Sequence, residues 1–581
     1  MPRLLAVPLL LAALPAPAPA ADPPTGPKVK LAVVVFFDQM RGDYLQRWRP
    51  LFGDGGFKRL TADGAWFADC HYPYATTTTG PGHASVLSGT GGAKHGIINN
   101  EWYDRAAGDE VYCAASTRYQ LVPPPAVAPA AVTTKADTPA TAKPVTAGNP
   151  DKMLSPNVAD VFKAVTAGRG RVFGLSLKDR SAIFPSGHKP DGAYWFNGQW
   201  VTSTYYRDSL PGWVQEFNKS GLADSYFGKN WVRFRPDLDY DTWAGPDDGP
   251  GEGTGKKQGK TFPHPTTGGL DRPGKEYYEA VATSPFGNEL LLAFAKTCIQ
   301  AEQLGKRDTP DLLTISFSSN DLVGHAWGPD SQEVLDVTLR SDALMADILR
   351  FLDARVGAGN YSVVLTADHG VSPTPEAAAA AGKDARRASP KPMILAAERF
   401  LQETFGKPPG DDPADLPDLV RPKRSLWIEA VSPPYLYLNH RLLKAKNLDP
   451  DAVAAALAKW AAAQPGILKA YTHKELREPV PAGDPIRLAA QKCFRPDRSG
   501  DVAVVLKPYW LLDTYESGTG HGTPHPYDTH VPLVVFGPGV PGGKRTEKVT
   551  PLHAAAIVAD FLGVPPPRDA AYGLPTTLHQ K

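Results

Sequence analysis

The chain has 581 residues, more than one ordinary hydrophobic core organises, so one large α/β domain with sizeable insertions, or a second domain, is expected. Lys and Arg number 62 against 61 Asp and Glu, a formal charge of +1, and no long basic run occurs. That balance argues against nucleic acid as a partner.

Residues 1–20 read as a signal peptide. Arg3 supplies the positive start, residues 4–14 form a short apolar core, and Ala18-Pro19-Ala20 offers a small-residue cleavage site. The expected destination is the periplasm or the exterior. No Cys follows the cleavage site to carry a lipid anchor, and no later apolar stretch reaches the roughly 18 residues that span a bilayer. The four cysteines, Cys70, Cys113, Cys298 and Cys493, suit an oxidising compartment. Pairing of Cys70 with Cys113 and of Cys298 with Cys493 is the favoured expectation, with four buried free thiols as the alternative.

The remainder, residues 28–581, reads as one catalytic domain. Residues 28–119 pass through a strand, a helix and a Gly-rich loop, after which 121–147 become a Pro/Ala/Thr tract without periodicity, expected to be a flexible surface excursion. N-V-A-D-V-F-K-A-V then predicts a helix and R-V-F-G-L-S-L a strand. Residues 188–288 are rich in aromatic, Gly and Pro residues. They contain a hairpin, W-F-N-G-Q-W-V-T-S-T-Y-Y, and read as an insertion over the active edge. A second insertion, 379–501, carries the Ala-rich helix D-A-V-A-A-A-L-A-K-W-A-A-A and a strand pair around Pro434, and the core resumes at V-P-L-V-V-F-G. Alternating strands and helices predict an α/β fold with a central, mostly parallel sheet flanked by helices and bearing inserted cap segments.

Seven side chains that bind metal well recur along this framework: Asp38, the hydroxyl of Thr79, Asp321, His325, Asp368, His369 and His521. Asp38, Asp321 and Asp368-His369 follow the apolar runs K-L-A-V-V-V-F-F, D-L-L-T-I-S-F and Y-S-V-V-L-T-A, where an open α/β sheet delivers its ligands. Three carboxylates and three imidazoles suit two divalent cations, and imidazole favours zinc. Asp321 and His325 stand four residues apart and share one face if a helix begins there. A-T-T-T-T-G-P-G-H-A-S-V-L sets a Thr run against a helix start, where unpaired N–H groups favour an anion such as phosphate. Four successive Thr leave the choice among Thr76, Thr77, Thr78 and Thr79 open. His71, His83, His95 and His188 read as loop or packing residues.

Seven segments in order resemble the alkaline phosphatase superfamily, and within it the exported bacterial phosphatases that use a Thr nucleophile: F-F-D-Q-M-R-G-D-Y, T-G-P-G-H-A-S-V-L-S-G-T, H-G-I-I-N-N-E-W-Y-D, S-L-K-D-R-S-A-I-F-P-S-G-H, S-N-D-L-V-G-H, T-A-D-H-G and T-G-H-G-T-P. The resemblance implies an alkaline phosphatase-like fold and hydrolysis of phosphate monoesters to inorganic phosphate. Thr79 would be the nucleophile, beside a zinc held by Asp38, Asp368 and His369. Asp321, His325 and His521 would hold a second zinc that stabilises the leaving oxygen and then activates water. Asn100 would donate to a phosphoryl oxygen, and Lys178 and Arg180 would contact the others, in the place of the magnesium site of other alkaline phosphatases. Two cations in addition to the metals suit a doubly charged monoester better than a diester. The alternatives are a phosphodiesterase or nucleotide pyrophosphatase of the same superfamily, or a noncatalytic exported zinc-binding module.

Overall fold

The computed structural model describes residues 26–124, 147–407 and 426–580. The expected signal peptide, 1–20, and most of the 121–147 tract lie outside the described residues. Among them the largest sheet contains ten strands: β1 (Leu31–Phe37), β2 (Ala65–Cys70), β3 (Leu121–Val122), β4 (Val172–Ser176), β5 (Gly192–Phe196), β6 (Trp200–Ser203), β7 (Asp311–Phe317), β8 (Tyr361–Thr366), β9 (Leu533–Phe536) and β10 (Gly543–Val549). Their spatial order is β10, β2, β9, β8, β1, β7, β4, β5, β6, β3.

β1, β7 and β8 are buried along their whole length, as continuous apolar runs require when helices cover both faces of a sheet. They form the centre. β8, β1, β7, β4 and β5 pair in parallel, so their carboxyl ends emerge along one edge. β9 runs antiparallel to both β8 and β2, and β6 and β3 close the other side antiparallel. The expected mostly parallel centre is therefore present, with mixed flanks.

Four helices position the site: α1 (Thr79–Ser88), α2 (Asp179–Ser186), α3 (Ser319–Trp327) and α4 (Gln332–Leu352). Every residue of α1 is buried. The hairpin expected at the start of 188–288 forms as β5 and β6, and it belongs to the main sheet because β5 pairs with β4. Later parts of that segment pack on α4, with Trp231 Nε1 donating to Asp336 Oδ2 at 2.7 Å and His264 Nε2 2.9 Å from Glu333 Oε1.

Within the second segment, strands Ile428–Ser432, Tyr435–Leu438, Val502–Leu506 and Ile467–Thr472 build a separate four-stranded sheet, the cap sheet. Leu401, Trp427, Leu457 and Val502 pack it against helices Pro390–Phe405 and Pro450–Ala462. Its other side places Tyr435, Tyr437 and Ala503 in a core with Ile98, Trp102 and Phe494.

The disulfide expectation is not met. All four cysteines are free and buried. Cys70 and Cys298 fill the main core, Cys113 belongs to the second core, and Cys493 Sγ accepts the Thr76 N–H at 3.2 Å. Each thiol serves as a small apolar filler, a role that the number and spacing of cysteines do not encode.

Candidate active site

Neighbouring strands deliver the candidate residues to one edge. Asp38 follows β1, Asp368 and His369 follow β8, α3 carries Asp321 and His325 beyond β7, and Lys178 and Arg180 lie just after β4. These four strands stand side by side in the order β8, β1, β7, β4, so the crevice at their carboxyl ends collects side chains from across the sequence.

Thr79 opens α1 and is buried. Its Oγ1 lies 3.4 Å from His369 Nε2, and Arg180 Nη2 donates to it at 3.4 Å. The T-G-P-G-H sequence is explained by close approach. A side chain on Gly82 would collide with the Asp368 backbone oxygen, and one on Gly80 would sit 3.1 Å from Asn100 Oδ1. Pro81 falls in the first turn, where no intrahelical N–H is required.

Asp38, Asp368 and His369 form one potential ligand group, with donor atoms within 4.8 Å of one another. Asp321, His325 and His521 form a second on the same criterion, also within 4.8 Å. The imidazoles share a construction. Nδ1 of His369 lies 2.9 Å from Gly370 O, that of His325 2.7 Å from Thr519 O, and that of His521 2.8 Å from Thr77 O. A carbonyl can only accept, so each Nδ1 carries a proton and each Nε2 is the inward atom that would bind a cation. Nε2 of His369 lies 3.3 Å from Asp368 Oδ2, and Nε2 of His325 lies 3.2 Å from Asp321 Oδ1.

The donor set fits divalent cations. Asp38 Oδ1 is buried and takes part in no hydrogen bond, an arrangement that costs free energy without a positive partner, and Asp368 Oδ2 meets only the ring nitrogens of His83 and His369, at 3.2 and 3.3 Å. Burial, followed by the nearby Asp368 charge, pushes the Asp38 carboxyl well above the usual carboxylate range. Asp368 is held below that range: burial opposes this, but His369, His83 and Lys178 outweigh it. Asp321 is likewise held low against burial by Lys178, His325 and His521. The Lys178 ammonium spans the two groups, 2.7 Å from Asp38 Oδ2 and 2.6 Å from Asp321 Oδ2.

Asn100 meets the helix start, its Oδ1 accepting the Gly80 N–H at 2.7 Å. Arg180 Nη1 donates to the Tyr112 hydroxyl at 3.1 Å, and that hydroxyl donates to Asp179 Oδ1 at 2.5 Å. All ten residues singled out in the sequence thus converge here.

Three others went unrecognised. Gln39, a non-glycine residue at φ 67°, donates its backbone N–H to Asp368 Oδ1 at 3.1 Å and its side-chain amide to Asp321 Oδ1 at 2.8 Å. A side chain on Gly324 would collide with it. His83 was expected to be a packing residue. It is fully buried, but Nδ1 lies 2.9 Å from Thr79 O and 3.2 Å from Asp368 Oδ2. Its spacing of four from Thr79 within a helix is the available signal. Tyr112 gave none.

Residues 32–530 match the type I phosphodiesterase / nucleotide pyrophosphatase family, so the chain belongs to that family and is a bacterial enzyme of the alkaline phosphatase superfamily. Over 556 residues it is 33% identical to alkaline phosphatase PafA of Elizabethkingia meningoseptica, spanning 95% of this chain and 94% of that one. It is 32% identical to alkaline phosphatase PhoV of Synechococcus elongatus, over 94% of this chain and 92% of that one. The crystal structure of wild-type PafA superimposes with a TM-score of 0.82 at 31% identity, covering 95% of this chain and 99% of PafA.

Proposed function

We propose that this chain is an exported, zinc-dependent alkaline phosphatase that hydrolyses phosphate monoesters through a phosphorylated Thr79. One observation carries the reading: the Thr79 hydroxyl, at a helix start, lies 3.4 Å from both His369 Nε2 and Arg180 Nη2, at an edge bearing two Asp/His ligand groups. Similarity to PafA and PhoV over nearly the whole chain supports the same activity.

Asp38, Asp368 and His369 would hold the cation beside Thr79, and Asp321, His325 and His521 the one on the leaving-group side. Zinc bound there would lower the pKa of the Thr79 hydroxyl and of water and offset charge on the leaving oxygen. Thr79 Oγ1 attacks phosphorus in line, forming the Oγ–P bond as the bond from phosphorus to the alcohol oxygen breaks. Lys178 and Arg180 supply two positive charges to the non-bridging oxygens. Asn100 donates to a further phosphoryl oxygen. Water then cleaves phospho-Thr79, releasing inorganic phosphate with net retention at phosphorus. Gln39 and His83 hold Asp321 and Asp368 in place during both displacements.

A phosphodiesterase reading follows from the family's description. A diester carries one charge fewer and would use Lys178 and Arg180 less fully. The test compares kcat/KM on an aryl phosphate and its methyl diester and maps phosphate in acid-quenched protein. Preference for the monoester with label on Thr79 is expected; a diester preference would overturn the assignment.

A further inference from the structure

Between the catalytic edge and the cap sheet lies a cavity of about 390 Å³, within the size range of small-molecule sites. Thr78, Asn99 and His521 line its inner end, so it is continuous with the ligand group assigned to the leaving-group side. Asn99 also links the halves of the molecule: its Oδ1 accepts the Thr78 hydroxyl at 2.8 Å, and its amide donates to Pro433 O at 2.5 Å.

Away from His521 the walls turn apolar. Met393 comes from the helix Pro390–Phe405, Trp460 from Pro450–Ala462, Val504 from the cap sheet, and Trp510 and Leu511 from the strand Trp510–Leu512. These five are half-buried and line the cavity, Trp460 and Val504 also packing against the core between the cap sheet and its helices. Among the described residues no Lys, Arg or Glu lines the cavity. A second phosphate group entering it would lose its water without gaining a cation and would meet Asp528; Thr78, Asn99, Ser372 and Thr523, which also line it, already bond to protein partners and offer a polyhydroxylated group little. An alkyl or aryl group loses nothing and buries apolar area.

We infer that this cavity is the leaving-group subsite and that it selects phosphate monoesters of apolar alcohols over those of sugars or nucleoside polyphosphates. The inference rests on the phosphomonoesterase reading, because that reading sets the ester oxygen beside His521.

The test is a series of n-alkyl phosphates from ethyl to octyl, each below its micelle concentration. Their alcohols are similar in acidity, so chain length changes burial and leaves the chemistry of the bond nearly constant. In the native enzyme kcat/KM should rise about two- to fourfold per added methylene until the cavity is filled. Met393→Gln and Leu511→Gln, on different elements and outside the catalytic groups, should each flatten that rise while leaving ethyl phosphate turnover unchanged. Ethyl phosphate thereby reports that the site is intact, and if one variant fails this check the other decides. A flat series in the native enzyme, or a slope surviving both variants, overturns the inference and leaves the monoesterase reading standing. Absence of turnover on every monoester would remove that reading and the inference with it.

Discussion

The imidazoles of His369 and His521 stack face to face, ring centroids 3.5 Å apart and planes 16° from parallel, although they belong to different ligand groups. Two cationic rings at that separation would repel strongly. Burial, with the neighbouring His369 and His325, holds His521 well below the usual His range, and burial lowers His369 as well. Both rings are therefore neutral near pH 7, the form in which imidazole binds metal.

Removal of the cations should abolish hydrolysis, and added zinc should restore it. His521→Ala should reduce bound metal by about one ion per chain. Its rate loss should exceed the roughly 10- to 100-fold that follows from losing an outer-shell partner. Metal analysis alongside rates checks both; full activity in metal-free protein would end the assignment.

Thr79→Ala should remove nearly all turnover and all covalent phosphate, whereas Thr79→Ser should keep part of the rate because the hydroxyl survives. Mapping the phosphopeptide after acid quenching distinguishes the four Thr. Label on Thr76, Thr77 or Thr78 would shift the nucleophile along the run.

Loss of Lys178 or Arg180 should lower kcat/KM on a monoester about 10- to 150-fold, from the roughly 1.5–3 kcal/mol of a charge-assisted hydrogen bond. A methyl diester should suffer less, so Lys178→Ala with Arg180→Ala should shrink the ratio between the two substrates. An unchanged ratio under matched salt and zinc would mean that these cations do not read phosphoryl charge.

His95 predicts a pH dependence of stability. Its Nδ1 accepts the Ile97 N–H at 3.1 Å, and its Nε2 lies 2.9 Å from Ser85 Oγ, so the buried ring must stay neutral to keep the first bond. Burial, then the Arg498 charge, push it from 6.5 down to about 3. The unfolded chain takes up a proton as pH falls below about 6.5 and the folded one does not, so stability present above that pH is lost going down. The advantage of the native protein over His95→Gln should narrow by about 2–3 kcal/mol between pH 7.5 and 4.5. Urea unfolding in excess chelator measures it; parallel stability curves would contradict the assignment.

The candidate edge was legible where local pattern and tertiary position coincide. Apolar runs predicted β1 and β8, and ligands directly beyond such runs have one place to go, so Asp38 and Asp368 could be read without a fold. Asp321 and His325 were readable through their helical spacing. His521 lies in a Gly-rich loop with no local period to mark it; it was singled out as a metal-binding side chain, and its assignment to the second ligand group came from the resemblance. Gln39, His83 and Tyr112 act through partners that no periodicity encodes: Asp321 lies 282 residues from Gln39. The cysteine pairing failed for the same reason, since parity and compartment say nothing about which thiols meet in space. The hairpin at 192–203 was read correctly as local structure, but whether it joined the main sheet depended on β4.

Gln39 gives the centre a mechanical property. One residue grips Asp368 with its backbone and Asp321 with its side chain, from a left-handed conformation that is uncommon for a non-glycine residue. Neither carboxylate can shift without pulling on the same short lever. The two ligand groups thus share one partner, and substitutions placed on opposite sides of it should show interaction energies in a double-mutant cycle instead of adding independently.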